Sequence, residues 1–405
     1  MPSSAVQPRL RLLCCSTAFL PAESHGGLPY STFNLCKAMM RAGADVRVIT
    51  TDRNGDRRLD VSTDRWTTYK DIRVWYAKTT DGPFLFGRST AAAFAESLPR
   101  VDCVISSGTL WVHSGWLAWR GAKRHGKPSL NYPRGLLDAW AYGHKAFRKR
   151  VYWHAVGKRI LRDSAVVVAL NEHERQRLRQ MNVTSRIEVI PNGAELNTNE
   201  SIPDRNWLDA QYPALARRRY VLFLGRIHQK KGLDLLLSAV RRLAAQTERL
   251  AVVIAGPVAA DYQSQWQELL RVSDLGDTVV LPGPVSGTTK AAWLEHADVF
   301  VLPSYSEGMP VAVLEALGAG CPVVITNACG VPEVAQVDAG IVINPTVDEL
   351  SAALAALLGD ERRRRTMGER ARALARAAFD WDVIARRTLA LCQEVTSSEC
   401  ASVKT

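Results

Sequence analysis

The stretch Ser304-Tyr305-Ser306-Glu307-Gly308-Met309-Pro310-Val311-Ala312-Val313-Leu314-Glu315-Ala316-Leu317-Gly318-Ala319-Gly320 follows the apolar run DVFVLP (298–303) and leads into CPVVIT (321–326). Four apolar residues at 299–302 read as a short strand, too few for a helix and too uniform for a half-exposed one. Ser, Gly and Pro then break the strand. Pro310 suits the first turn of a helix, because the amide it lacks would have no partner there. The helical stretch leads into a second apolar run, CPVVIT. Strand, helix and strand in this order make a parallel unit, and parallel strands buried on both faces read as continuous Val/Ile/Leu runs.

The same texture extends outward from this unit. In the first half, strands are expected at Arg9–Cys15, Asp45–Thr50, Ile72–Ala77, Asp102–Ser106, Pro128–Tyr132, Ala165–Leu170 and Ile187–Ile190. In the second half they are expected at Tyr220–Gly225, Ala251–Gly256, Thr278–Leu281, Val299–Leu302, Pro322–Thr326 and Gly340–Ile343. Helix-length amphipathic segments separate most of them, so both halves read as α/β with parallel sheets. A chain of 405 residues exceeds one ordinary core. The texture changes at Pro191–Arg219, rich in Pro, Asn, Asp and Gly, which places a junction there. The expected domains are 1–200 and 201–381, with a final helix at about 382–405 returning to the first. The closing residues SSECASVKT read as frayed.

Composition removes several classes. An apolar fraction of 47% with 23% charged residues is that of a globular protein. No apolar run reaches the roughly 20 residues that span a bilayer. The apolar start reads as a buried strand from Leu10 to Ser16, not a signal peptide, because a Gly-containing loop and an amphipathic helix follow it. The eight cysteines show no metal-binding spacing. Cys14, Cys15, Cys103 and Cys321 lie in apolar runs, where cysteine acts as a small hydrophobe. A reducing, cytoplasmic setting without structural zinc is expected. The net charge is +12. Part of that excess is Lys123, Arg124, Lys127, Arg134, Lys145, Arg148, Lys149, Arg150, Lys158, Arg159 and Arg162, which meet few acids. Such a face attracts anionic membranes or phosphorylated substrates, or merely solubilises the fold. No aromatic-interleaved motif points to nucleic acid.

Chemistry concentrates in three places. Glu307 precedes the helix and Glu315 lies about five residues inside it, a separation of roughly 8–10 Å along the axis. That spacing suits one carboxylate at a sugar and one at a ribose. The backbone at Gly308, Met309 and Pro310 leads into the helix's first turn, whose freed amides favour an anion. The second place is GRIHQKKG (225–232), after the strand YVLFLG. There Arg226 and Lys231 can grip a pyrophosphate and stabilise departing charge without a metal, with Gly225 allowing close approach. The third is Gly26-Gly27 after the first strand. It is not a GxGxxG fingerprint, so a nicotinamide site is disfavoured.

With these segments in order, the chain resembles the family-four retaining glycosyltransferases of the GT-B fold. Glu307 and Glu315 match the family's glutamate, seven residues, glutamate signature. HGGLPYSTFNLCKAMMRAGADVRVIT, VIPNGAE, FLGRIHQKKGLDLLL and VVLPGPV add to the likeness, which covers nearly the whole chain. The resemblance implies two Rossmann-like domains with parallel sheets facing across a cleft. It also implies transfer of a sugar from a nucleoside diphosphate with retained configuration. Arg226 and Lys231 match the family's pyrophosphate pair; Lys231, directly before Gly232, fits better than Lys230. Gly26 and Gly27 match the loop that meets donor phosphates or acceptor. Val285 in LPGPV matches the loop whose backbone reads the nucleobase.

The first half departs from the family where a histidine usually closes the fourth strand. Ser106, Ser107 and Gly108 stand there, and His113 follows a few residues later as the replacement candidate. Arg134, in NYPRGLLDAW, resembles the serine-proline-arginine-glycine segment of relatives that build bacterial surface polysaccharides. Asp138 and Glu174 are further acceptor-side candidates. Asp380-Trp381-Asp382 has the pattern of a metal-binding motif but lies in helical sequence, and reads as a bend. Asn182-Val183-Thr184 is a formal glycosylation sequon that a cytoplasmic protein would not use. The expectation is therefore a metal-independent hexosyltransferase without cofactor. It takes a nucleotide-sugar donor and a glycan or lipid-linked acceptor in surface polysaccharide or lipopolysaccharide synthesis, at the inner face of an anionic membrane. A nucleotide-sugar epimerase or hydrolase, and a non-catalytic partner protein, stay open as alternatives.

Overall fold

A computed structural model describes residues 9–79, 88–138, 142, 146–196, 201–244 and 249–402. The chain divides into two compact units, one reaching to Asn192 and resuming at Trp381, the other Gly193–Asp380.

The first unit holds β1 (Arg11–Ser16), β2 (Asp45–Thr51), a small hairpin of β3 (Arg53–Asn54) and β4 (Arg57–Arg58), β5 (Trp66–Tyr69), β6 (Ile72–Ala77), β7 (Cys103–Ser107), β8 (Ser129–Tyr132), β9 (Val166–Ala169) and β10 (Ile187–Val189). Its main sheet runs β10-β9-β8-β7-β1-β2-β6-β5. All neighbours are parallel except β5 on β6, with Trp66 opposite Trp75. No strand is expected at β5 from sequence because WTTY lacks the apolar run that marks a buried strand; as an edge strand it needs only one apolar face. Two layers cover the sheet. On one face Leu12, Cys14, Val46 and Val48 meet Phe33, Cys36 and Met39 of the Gly27–Arg41 helix, together with Ile384 and Cys392. On the other, Leu13, Cys15 and Val104 meet Phe94, Leu98 and Ala118.

The second unit holds β11 (Arg219–Leu224), β12 (Leu250–Ala255), β13 (Val279–Gly283), β14 (Val299–Leu302), β15 (Val323–Thr326) and β16 (Gly340–Ile343). They form one parallel sheet in the order β13-β12-β11-β14-β15-β16. Strand order reverses between β11 and β14, as in doubly wound dinucleotide-binding folds, where the crevice beyond the strand C-termini takes the ligand. All six residues of β12 are buried, as are all four of β14 and β15. This two-sided burial is why their sequences show no alternation.

Asp380 lies after a wide helical turn at Ala375–Phe379 and is extended, with φ −67° and ψ 130°. The Trp381–Ser402 helix begins next and belongs to the first unit, where Asp382 Oδ1 accepts from Arg41 Nη2 at 2.6 Å. Among the described residues no group of three or more His, Cys, Asp or Glu is placed to hold a metal ion, and Asp382 of this Asp-Trp-Asp carries an ion pair. The expected fraying from Ser397 is corrected: the helix continues to Ser402. Among the described residues seven cysteines are buried free thiols. Among the described residues no helix is long and apolar enough to cross a membrane. Lys145 of the basic stretch, residues 1–8 and residues 403–405 lie outside the described residues.

Candidate functional site

The C-terminal edge of the second sheet gathers the sequence-selected residues of that half. Chain direction explains this: in a parallel sheet every strand delivers its following loop to the same edge. After β11 the chain passes Gly225 and exposed Arg226, then makes a tight turn at Gln229–Lys231 capped by His228 Nδ1, which accepts from the Lys230 amide at 3.2 Å. Gly232 ends the turn at φ +66°. A Cβ there would sit 2.0 Å from the carbonyl oxygen of Pro303, directly after β14. Glycine thus lets the two switch-point loops touch. The Tyr305 amide donates to Lys230 O at 2.8 Å and fastens the loops further.

This contact aims Lys231 at Glu307. Lys231 Nζ lies 2.5 Å from Glu307 Oε1, and Ser304 Oγ donates to the same oxygen at 2.9 Å. The side chains are only 13% and 8% exposed. Burial pushes the Glu307 carboxyl up. The charges of Lys231 and Lys230, with the hydrogen bonds from Lys231 and Ser304, outweigh it and hold the group below the usual carboxylate range. Glu307 is therefore an anion at neutral pH. His228 is driven down, first by burial and then by Arg226, Lys230 and Lys231, so its imidazole is neutral there. Arg226 makes no ion pair among the described residues.

Pro310 is the N-cap of the Val311–Ala319 helix, one position before the first turn expected for it. Met309 beside it is buried. Glu315 is the fifth residue of that helix and pairs with Lys290 at 2.7 Å. Lys290 was not legible as a site residue, because its partner lies 25 positions away on a different helix. Val285 sits in the loop after β13, partly exposed. That loop is tied in through Gly283, whose carbonyl accepts from Gly256 at 2.8 Å.

In the first unit, strand order reverses between β1 and β7, and the same logic places Gly26, Gly27, Ser107 and Gly108 at that C-terminal edge. Gly26 is the N-cap of the Gly27–Arg41 helix at φ +70°. Thr17 Oγ1 donates to Gly108 O at 2.5 Å. Arg134, itself at φ +60°, stacks its guanidinium 4.9 Å over Tyr132, donates from Nε to Ser107 Oγ at 3.2 Å and from Nη1 to Asn192 Oδ1. Its Nη2 is buried without a protein partner. Thr32 Oγ1 shares a 3.2 Å hydrogen bond with Ser107 Oγ. Thr32, Ser107 and Asn192 join this constellation through spacings of 27 to 75 residues, which no local pattern reveals.

His113 opens the His113–Arg124 helix and stacks on Trp116, with ring centroids 5.4 Å apart. Burial lowers its pKa, so it is neutral at pH 7. Glu174 is tied into the backbone. It is 3% exposed, and its two oxygens accept from the Gly135 amide at 2.6 Å and the Leu170 amide at 2.7 Å. It braces the backbone beside Arg134. Asp138, also buried, follows in the same turn, its amide donating to Gly135 O at 3.2 Å.

Comparison with known proteins places both halves. Residues 26–193 match the glycosyl transferase 4-like domain, and residues 205–374 match glycosyl transferases group 1. A D-inositol 3-phosphate glycosyltransferase of Kineococcus radiotolerans is 30% identical over 54% of this chain and 54% of its own. A GDP-mannose-dependent alpha-(1-6)-phosphatidylinositol monomannoside mannosyltransferase of Mycobacterium tuberculosis is 30% identical over 58% of this chain and 63% of its own. The matched segments thus span between half and two thirds of those relatives. Sucrose-phosphate synthase from Thermosynechococcus elongatus superposes with a TM-score of 0.80 at 21% identity, over 96% of this chain and 100% of that one. Two tandem matches, two doubly wound units and the signature acids at the switch point of the second sheet lead to one assignment: the chain belongs to the family-four glycosyltransferases of the GT-B fold.

Proposed function

We propose that the protein is a retaining glycosyltransferase that moves a sugar from a nucleoside diphosphate to a hydroxyl of a glycan or lipid-linked acceptor. The observation that carries this reading is the buried Lys231–Glu307 pair at the strand-order reversal, with Glu315 on the following helix. In this reading the second unit holds the donor. Arg226 and Lys231 take the pyrophosphate, Glu315 the ribose hydroxyls, Val285 the base through its backbone, and Glu307 with the Gly308–Pro310 backbone the sugar. The positive end of the Val311–Ala319 helix faces the anionic part of the donor.

The chemistry follows from charge. As the bond to the pyrophosphate loosens, negative charge grows on the departing phosphate, and Arg226 and Lys231 stabilise it as preorganised cations. Glu307 stabilises the positive sugar centre. The acceptor hydroxyl enters on the same face, and the departing phosphate takes its proton. No enzymic nucleophile is needed, which accommodates serine and glycine where the family carries histidine. No metal is required where two cations serve the leaving group. The first unit takes the acceptor, with Gly26, Gly27, Arg134 and His113 as its residues. The relative described as acting on a phosphatidylinositol mannoside, and the basic stretch of the first unit, support a lipid-linked acceptor at an anionic membrane. Cell-surface polysaccharide or lipopolysaccharide assembly is the fitting pathway class.

The test is a melting-temperature panel with nucleoside diphosphates and their sugars in EDTA. A ligand that binds only the folded state raises the melting temperature by mass action. One nucleotide class should stabilise the wild type, and Lys231→Ala should abolish the shift. No shift with any nucleotide well above expected affinity would overturn the donor site.

A further inference from the structure

Residues 139–162 contain no Asp or Glu. Their described part forms a helix at Ala146–Tyr152, a wide turn at Trp153–Gly157 and a helix at Lys158–Arg162. One face of this segment is anchored. Trp153, Gly157, Ile160 and Leu161 are buried, with Trp153 and Leu161 packed among Leu110, Leu137 and Leu178. Tyr152 meets Trp111 edge-on at 5.8 Å, and Lys149 Nζ lies 5.8 Å over the same ring. The opposite face is solvent-exposed and should by ordinary patterning be polar. Instead it presents Phe147, 80% exposed, and Val151 one turn later, 57% exposed. Arg148 and Arg150 flank them on the same helix and Lys158 and Arg159 open the next one; none of the four makes an ion pair among the described residues. Two apolar side chains in water beside unpaired cations serve no folding purpose in the unit that carries them.

We infer that this face is a membrane-docking surface: Phe147 and Val151 enter the headgroup boundary of an anionic bilayer while these cations meet lipid phosphates. An amphipathic helix with cations beside an apolar strip lies in the plane of such an interface. Charge complementarity selects the occupant. A protein groove would have to supply acids against at least four unpaired cations, whereas an anionic leaflet supplies them everywhere. The inference deepens the lipid-linked reading of the acceptor, since docking would bring the first unit to acceptors held in the bilayer. Vesicle binding can be measured without any transfer reaction, so the two fail separately.

The experiment is co-sedimentation of the full chain with phosphatidylcholine vesicles, with and without phosphatidylglycerol, at low and moderate salt. Binding should require phosphatidylglycerol. Phe147→Ser/Val151→Ser should weaken it about tenfold or more, as expected for withdrawing two apolar side chains. Arg148→Glu/Arg150→Glu should weaken it roughly 100-fold. Both variants should keep the wild-type melting temperature and its nucleotide-induced rise, since the substituted side chains are exposed. Equal binding to neutral vesicles, or a Phe147→Ser/Val151→Ser variant that sediments like wild type, would overturn the assignment. So would a concentration-dependent wild-type oligomer that this variant abolishes, which would make the face a contact between copies.

Discussion

Lys231 Nζ sits 2.5 Å from Glu307 Oε1, so the loop after β11 and the loop after β14 are joined by a buried ion pair where the strand order of the second sheet reverses. Each charge is out of water and depends on the other. A donor pyrophosphate would compete with Glu307 for Lys231, releasing the carboxylate toward the sugar, so the pair belongs to the proposed chemistry as well as to the fold.

Removing one member should therefore cost more than removing both. Glu307→Gln leaves the Lys231 ammonium buried and is expected to destabilise the fold by about 3–5 kcal/mol. Adding Lys231→Met to it should recover much of that loss. Urea unfolding of the wild type, both single variants and the double variant checks this. Because the folded-state pKa of Glu307 is depressed, its contribution is present above the ordinary carboxylate range and is lost as pH falls through the folded value. The Gln variant should lose less stability on acidification than wild type.

Arg226 offers the opposite separation of effects. It is exposed and makes no ion pair among the described residues, so Arg226→Ala should change stability by no more than about 0.5 kcal/mol. Its proposed place on the pyrophosphate means turnover should fall by roughly 100-fold or more. Steady-state rates at saturating donor, in EDTA, measure this; a rate equal to wild type would remove Arg226 from the site.

Gly232 should tolerate no side chain. Gly232→Ala places a Cβ 2.0 Å from Pro303 O at φ +66°, and a loss of about 2 kcal/mol or more is expected together with weaker nucleotide binding. Gly359, at the end of the Val347–Gly359 helix, is the control, because a Cβ added there would meet nothing within 4 Å. Gly359→Ala should be neutral or slightly stabilising.

Glu174 carries a pH signature in the first unit. Burial raises its pKa from 4.5 to about 7, against the pull of the Leu170 and Gly135 amides, with Asp138 adding to the rise. The folded state thus holds a proton that the unfolded chain releases earlier. Stability should decline as pH climbs from about 4.5 through about 7. Glu174→Gln should flatten that decline, measured by denaturant midpoints across the range.

The parallel α/β character of both halves is legible in residue order alone. Two-sided burial writes itself into runs such as VVLP, VFVL and PVVIT, and the start of the helix after β14 shows in the Ser, Gly and Pro310 that open it. The donor-side residues of the second unit are legible too, because Arg226, Lys231, Glu307 and Glu315 lie within short segments that each follow a strand. Which of these residues meet is a matter of the folded chain. Lys231 finds Glu307 across 76 positions because strand order reverses between β11 and β14, a fact of sheet topology that no local pattern encodes. Lys290 on Glu315 and the Thr32–Ser107–Arg134–Asn192 chain were illegible for the same reason. Glu174 was legible as an acid but not as a buried brace: charge is a property of the residue, while burial and partners belong to the fold around it.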